Sequence, residues 1–378
     1  MNNKNPSRSI AEPVKSMLWG KSAGRCQFSG CNRLLCESDV TREQVNIAQK
    51  AHIWAFSADG PRGNSGIEPD EINSSKNLML LCHPCHRLID QDKDGDTYTV
   101  ELLKAMKAEH EARVELATSI SPEKQSTILL YGANIGSQSS PLSYEKAANA
   151  MLFDWLPKSK QPIILSLSGS PYTDSSDEYW SIESGALEKN FNQYVRQACK
   201  DGAIGHLSVF GLAPQPLLIK LGCLLSDIPA AQIYQLHREP PTWAWVENNQ
   251  PLEYVVSRPS GTHSTVALSL SLSARISSDR ITSVLGKDVS IWDITIENPH
   301  NDCIKSIDDL SSFRQVVRSL LDEIKLTHGE GVAIHVFPAM PVSTAIELGR
   351  VRMPKTAISL HLYDENRARG GFFHVLDV

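Results

Sequence analysis

Two stretches of this chain align without a gap at an offset of 127 residues. One is "HLSVFGLAPQPLLIKLGCLLSDIPAAQIY" from His206; the other is "AIHVFPAMPVSTAIELGRVRMPKTAISLH" from Ala333. Val209/Val336, Phe210/Phe337, Pro214/Pro341, Ile219/Ile346, Leu221/Leu348, Gly222/Gly349 and Ala230/Ala357 are identical pairs. Each stretch reads as a strand, a Pro-containing turn, a helix ending near Gly, and another strand. Gapless identity at such positions points to duplication of one supersecondary unit. The stretches "ILSLSGS" (164–170) and "VALSLSLSA" (266–274) read as the matching first strands. Helices alternating with β-rich runs imply a parallel or mixed sheet. The expected fold class is therefore α/β, with two Rossmann-like halves, about 145–255 and 256–378, facing each other across a pseudo-two-fold.

The first third has another texture. Residues 10–24 read as a short helix and 46–56 ("NIAQKAHIWAF") as a strand entering a loop rich in Gly, Pro, Asn and Ser. "LMLLCHPCHRLI" opens a turn and a helix, and 97–117 has apolar residues at helical spacing. From 118 that periodicity is lost and Ser, Gly and Pro rise. The expected division is a domain at 1–118, a linker at 119–144 with a short strand at 127–131, and a domain at 145–378.

Cysteine spacing supplies the first chemistry. Cys26-x4-Cys31 and Cys82-x2-Cys85 are close pairs on turns, suited to tetrahedral zinc–thiolate coordination. Four protein ligands close the shell, so a zinc here is structural. It would pin the N-terminal turn to the start of a later helix. Cys36 is left over. A second cation has a place beside it. His86 follows the second zinc cysteine and Asp90 is four residues on, so the two share a helix face.

His52 in "KAHIW", Asn77 in "KNLMLLC" and His86, threaded through the two cysteine pairs, resemble the ββα-metal motif of HNH endonucleases over residues 20–115. The resemblance implies that His52 is the general base, that Asn77 holds the loop and orients His52, and that His86 and Asp90 hold Mg²⁺ or Mn²⁺. Many such nucleases carry a further metal ligand just before the catalytic His. Here that residue is Ala51, and water, Glu68 or Asp70 would have to substitute. Arg62 is either a phosphate contact or a solvated side chain. The loop "DQDKDGDTYTVE" (90–101) also satisfies the EF-hand pattern, although Thr97 stands where an aliphatic residue is usual. It reads either as a calcium loop or as a solvated acidic turn.

The repeat, with "YQLHREPPTWAW" and "LHLYDEN", resembles a SAVED domain over roughly 145–378, a fusion of two CARF-like units that bind cyclic di- or trinucleotides. Such a ligand is anionic, so main-chain N–H groups at the helix starts near Gln215 and Ser343 would meet phosphates. Ser168, Tyr172, Pro214, Gln215, Trp243, Pro341 and Ser343 are the candidate ligand-binding residues. Trp243 and Trp245 alternate along one strand face, and either base stacking or core burial would explain them.

The whole chain is similar to the HNH–SAVED effector nucleases of bacterial CBASS antiphage defence. That resemblance implies a cytoplasmic enzyme whose cyclic oligonucleotide drives assembly from a dimer to a tetramer or larger, and which then degrades double-stranded DNA. The alternative is a ligand-independent restriction-type HNH nuclease with a C-terminal DNA-recognition domain. Charge bears on both readings. Residues 1–118 hold 15 basic and 16 acidic side chains, the remainder 22 and 27. A single near-neutral head should bind DNA weakly, and the acidic C-terminal part is a poor DNA reader. No apolar run of about 18 residues is present, so no membrane span is expected.

Overall fold

The computed structural model describes residues 9–378, apart from 64–65, 122, 139, 141, 153, 168, 227, 229, 247–249 and 353–357. The chain divides into two compact units, Met1–Ser121 and Pro122–Val378.

In the first unit α1 (Glu12–Ser22) precedes the cysteine turn. A hairpin follows, β1 (Ala48–His52) antiparallel to β2 (Leu78–Cys82), and then α2 (His83–Gln91) and α3 (Val100–Thr118). The five residues of β2 are all buried, as an apolar run "LMLLC" requires. Gln27 extends this small sheet. Its main-chain N–H donates to Leu80 O at 2.9 Å, and its side-chain oxygen accepts from Leu80 N at 2.7 Å. Pro84 opens α2 in its first turn, where a missing N–H costs nothing. Thr99 caps α3 by accepting from Leu102 N. Leu35, Ala51, Ile53, Met79, Leu81, Ile89 and Leu103 form the core. A unit this small, with a long irregular loop, gains from a metal staple.

In the second unit the first half runs β3 (Gln125–Gly132), α4 (Tyr144–Met151), β4 (Leu156–Pro157), β5 (Ile163–Ile164), α5 (Asp177–Asn190), α6 (Gln197–Lys200), β6 (Leu207–Leu212), α7 (Gln215–Leu225) and β7 (Ala231–Ile233). A short antiparallel pair, β8 (His237–Arg238) and β9 (Pro241–Thr242), and then β10 (Val255–Ser257) lead on. The second half runs β11 (Thr265–Ser271), α8 (Ser278–Leu285), β12 (Val289–Thr295), α9 (Ile307–His328), β13 (Ala333–Ala339), α10 (Val342–Val351), β14 (Ser359–Asn366) and β15 (Gly371–Asp377). One sheet has the order β4-β3-β6-β7 with β5 also on β3; the other is β10-β12-β11-β13-β14-β15. The inner pairs of both are parallel, whereas β10 and β15 are antiparallel edges.

The two halves share a central set of parallel strands and the helix after β6 and β13, and the order corrects one expectation. The partner of β11, beside β13, is β3 beside β6, whereas the strand at 163–164 takes the place of β12. Cross-strand register shows why the sequence misled. Val209 faces Leu129 and Val336 faces Leu268, so the offset is 127 on one strand and 139 on the other. Loops of unequal length hid the match. The stretch 119–144, expected as a linker, likewise carries β3, a strand of the first sheet. The short strand expected at 127–131 is the middle of β3, and its flanks of Ser, Gly and Pro are what made the stretch read as a linker. Buried residues of both sheets and of α5, α7, α9 and α10 form one continuous core. Among the described residues no helix is long and apolar enough to cross a membrane.

Candidate functional site

The sulfurs of Cys26, Cys31, Cys82 and Cys85 lie within 4.8 Å of one another. Cys31 Sγ and Cys82 Sγ are 3.8 Å apart, about the edge of a tetrahedron with 2.3 Å zinc–sulfur bonds. Cys82 N–H donates to Cys26 Sγ at 3.3 Å, as amides do to ligating thiolates. Burial pushes the Cys26 thiol up to about 12 and raises Cys85 as well. Four thiolates gathered this closely need a cation to neutralise them, and these four residues could hold zinc. Cys36 is exposed and stands apart.

His52 ends β1 opposite Leu78. Its Nε2 donates to Asn73 Oδ1 at 3.0 Å, which leaves the lone pair on Nδ1. Asn73 has no motif spacing in the sequence, and only the folded loop reveals it. Asn77 is buried and fastens the loop. Its Oδ1 accepts from Trp54 N at 2.8 Å, and its Nδ2 donates to Trp54 O at 3.1 Å and Ile72 O at 2.9 Å. Asn77 thus acts on the backbone two residues beyond His52.

Arg62, considered above as a phosphate contact, is turned onto the main chain. It donates to Ile53 O at 2.7 Å, Ile89 O at 3.0 Å and His52 O at 3.4 Å. It ties the end of β1 to the end of α2. Gly95 packs against it; a Cβ there would stand 2.6 Å from Arg62 Cγ. Burial lowers the guanidinium pKa, and Asp90 and Asp92 act to raise it.

His86 Nδ1 and Asp90 Oδ2 face each other at 3.1 Å on one side of α2. These residues could hold a divalent ion through one nitrogen and one oxygen. Ala51 lies fully in the core and offers no ligand atom. Glu68 and Asp70 are exposed, and among the described residues neither completes a group of three donors within 4.8 Å around this pair. In the acidic loop that follows, Asp92 Oδ2 accepts from Thr97 N at 3.0 Å and Tyr98 N at 2.7 Å. That carboxylate is spent on its own turn, and no carboxylate trio converges there among the described residues. Beside the loop that joins β1 to β2 lies a cavity of about 420 Å³ lined by Lys21, Trp54, Lys76, Lys104 and Lys107, with Glu71 and Glu111 among them. Lys104 sits 6.0 Å over the Trp54 ring.

In the second unit a cavity of about 310 Å³ opens where the repeated turns meet. Pro214 and Gln215 of one half and Pro341 and Val342 of the other line it, together with Gln235, Arg238, Asp174, Asp364 and Glu365. Gln215 Oε1 accepts from Met340 N at 3.0 Å across the halves. Ser343 lies behind the wall. Its N–H and Oγ–H both donate to Gln235 Oε1, at 3.1 and 2.7 Å, so the start of α10 is already capped by an amide. Trp243 is core, edge-on to Phe210 at 5.4 Å. Trp245 packs 6.4 Å from Tyr234. Tyr172 is exposed, and its carbonyl accepts from Asn134. Ser168 lies outside the described residues. The carboxylates are what sequence reasoning missed, because single acids carry no periodic signal. Burial, then Asp174, pushes Asp364 up to about 7.

Residues 187–378 match the family described as the SMODS-associated and fused to various effectors sensor domain. Residues 26–93 match the HNH endonuclease family. Similar solved structures include the Acinetobacter baumannii Cap4 SAVED/CARF-domain containing receptor with the cyclic trinucleotide 2′3′3′-cAAA, at 12% identity and a TM-score of 0.44. That match covers 77% of this chain and 66% of the other, just under two thirds. The Moraxella osloensis Cap4 receptor matches at 12% identity and a TM-score of 0.41, covering 77% and 60%. No curated protein matches the chain significantly.

Proposed function

For a chain that belongs to the SAVED sensor family and carries an HNH endonuclease domain ahead of it, we propose a cyclic-nucleotide-activated DNA endonuclease of CBASS antiphage defence in the bacterial cytoplasm. The observation that carries this reading is the cavity where the turns before α7 and α10 meet. Two pseudo-symmetric walls suit a ligand with its own near-repeating shape, and a cyclic di- or trinucleotide is such a ligand. Gln215, Gln235 and Arg238 offer amide and cationic donors, and Asp174, Asp364 and Glu365 offer acceptors for base amino groups.

Occupancy drives self-association of the chain from a dimer to a tetramer or larger. The N-terminal part has almost no net charge, so one copy holds DNA weakly. Linked copies gain through effective concentration, and assembly therefore sets activity. Lys21, Lys76 and Lys104 take the phosphate contacts beside the loop, while Arg62 keeps the loop in place.

At the scissile phosphodiester of double-stranded DNA, His52 Nδ1 accepts a proton from the attacking water, and the Nε2–H stays on Asn73. The water oxygen bonds to phosphorus as the bond to the leaving oxygen breaks; that oxygen takes a proton from solvent, and His52 Nδ1 returns its proton to solvent. His86 and Asp90 would hold Mg²⁺ or Mn²⁺, which would supply Lewis-acid polarisation of the phosphate and stabilise the charge that develops on the leaving oxygen. A zinc on Cys26, Cys31, Cys82 and Cys85 would be structural and would pin the N-terminal cysteine turn to the junction of β2 and α2.

The test is plasmid DNA with Mg²⁺ or Mn²⁺ and a panel of cyclic di- and trinucleotides added singly. Cleavage with one ligand only supports the gated nuclease and names its messenger. Equal cleavage in every lane removes the sensor role and leaves a ligand-independent nuclease. No cleavage in any lane contradicts the reading.

A further inference from the structure

The six-stranded sheet carries a second convergence of ligand-type side chains. His361 on β14 and His374 and Asp377 on β15 each bring one ligand atom within 4.8 Å of the others. His361 Nδ1 and His374 Nε2 meet the same oxygen, Asp377 Oδ1, at 2.5 and 2.7 Å. The local fold explains how. His374 and Asp377 are three residues apart, and in a regular strand such residues point to opposite faces. Here β15 is irregular. His361 pairs with Asp377, Leu362 with Leu376, and Tyr363 with His374, so Val375 is left without a partner. That bulge turns His374 onto the face of Asp377. The row continues inward, where His335 on β13 pairs with His361, the rings 4.9 Å apart, and its Nδ1 bonds the Tyr363 hydroxyl at 2.9 Å.

We propose that His361, His374 and Asp377 form a binding site for a divalent transition-metal ion. Two imidazole nitrogens and one carboxylate suit Zn²⁺, Ni²⁺, Co²⁺ or Cu²⁺ better than Mg²⁺ or Ca²⁺, which want oxygen. An ion about 2.1 Å from each donor needs donors roughly 3.0–3.4 Å apart, so the present spacing has to open by only about half an ångström. His374 and Asp377 are exposed, which leaves room for water or an outside ligand. The Tyr363–His335 bond holds the row on its inner side. Bound there, the ion clasps β15, the outermost strand of the sheet, to β14.

The test uses the full-length chain with its cysteine-bound metal left in place. A His86→Ala background removes the other His–carboxylate pair, and Ni²⁺ is titrated by equilibrium dialysis with elemental analysis. The expected result is one added Ni²⁺ per chain, with affinity falling at least roughly tenfold in His374→Ala and in Asp377→Asn, and unchanged in His300→Ala, an exposed histidine outside the cluster. Ni²⁺ should also raise the melting temperature of the background protein but not of the His374 and Asp377 variants. Melting curves without metal show whether each variant is folded. Absence of stoichiometric Ni²⁺, or a full equivalent retained in both cluster variants, overturns the site.

Discussion

Gly222 and Gly349 make the same contact in opposite directions. A Cβ on Gly222 would stand 2.0 Å from Ile346 O, and one on Gly349 would stand 2.1 Å from Ile219 O. In the repeat these are one pair of positions met twice, which is how a two-fold contact behaves. It brings the backbones of α7 and α10 into direct touch. Alanine in a helix is ordinarily better than glycine by about 1 kcal/mol, but here it must push the helices apart. Gly222→Ala and Gly349→Ala should each destabilise the second unit by about 1–3 kcal/mol or more. The double variant should lose less than the sum, because the two sites share one interface. Urea unfolding measures this, and an unchanged midpoint would contradict the close approach.

Removing the cysteine-bound metal should unfold the first unit. With zinc at Cys26, Cys31, Cys82 and Cys85, a strong chelator or Cys85→Ser should abolish its cooperative melting, because binding free energy there is folding free energy. Limited proteolysis should then cut within 12–118 and spare the second unit. Melting unaffected by metal removal would mean that the four sulfurs are plain thiols.

His52→Ala should lower ligand-activated cleavage by about 10²–10⁴-fold, the usual worth of a general base. Asn73→Ala should cost up to about 100-fold by releasing the imidazole from its orientation. Circular dichroism of both variants should match the wild type. Full activity in Asn73→Ala would make its bond to His52 incidental.

Arg62 and Lys104 should separate by salt dependence. Lys104→Ala should reduce the slope of log affinity for DNA against log salt by about one phosphate contact. Arg62→Ala should leave that slope unchanged while lowering stability and cleavage, since its donors go to Ile53 O, Ile89 O and His52 O. A reduced slope for Arg62→Ala would return it to the DNA surface.

Two partly buried groups should give the second unit opposite pH responses. Asp364 has its folded pKa raised to about 7, by burial first and then by Asp174. Its contribution is complete below the unfolded value near 3.8 and is lost as pH rises through about 7. Asp364→Asn should therefore stabilise the protein at pH 8, by about 1–3 kcal/mol, and little at pH 4. His206 is held down to about 4, by burial first and then by Arg350. Its contribution is present above about 6.5 and is lost as pH falls to about 4. His206→Gln should flatten that acid limb. Melting curves from pH 4 to 8 read both, and parallel curves would refute the two shifts.

Much of this molecule could be read along the chain, because it rests on short-range rules. Two cysteine pairs on turns, a histidine and an aspartate one helical turn apart, and a gapless repeat of strand, Pro turn and helix are all spacings. The repeat even marked Gly222 and Gly349 as equivalent, although nothing in the sequence said that they touch. What spacing cannot carry is long-range pairing. A short strand at 127–131 was legible, but its match to β11 was hidden because the loops after the two strands differ in length. Asn73 reaches His52 only once the loop closes. Arg62 looked like a surface cation until three carbonyls from β1 and α2 converged on it. The carboxylates of the cavity and the His361–His374–Asp377 cluster come from elements whose side chains meet only across a sheet or a turn, and one extra residue in β15 decides which face they share. Local periodicity sets what each segment becomes; register, loop closure and bulges decide which side chains meet, and those are properties of pairs of segments that no single segment encodes.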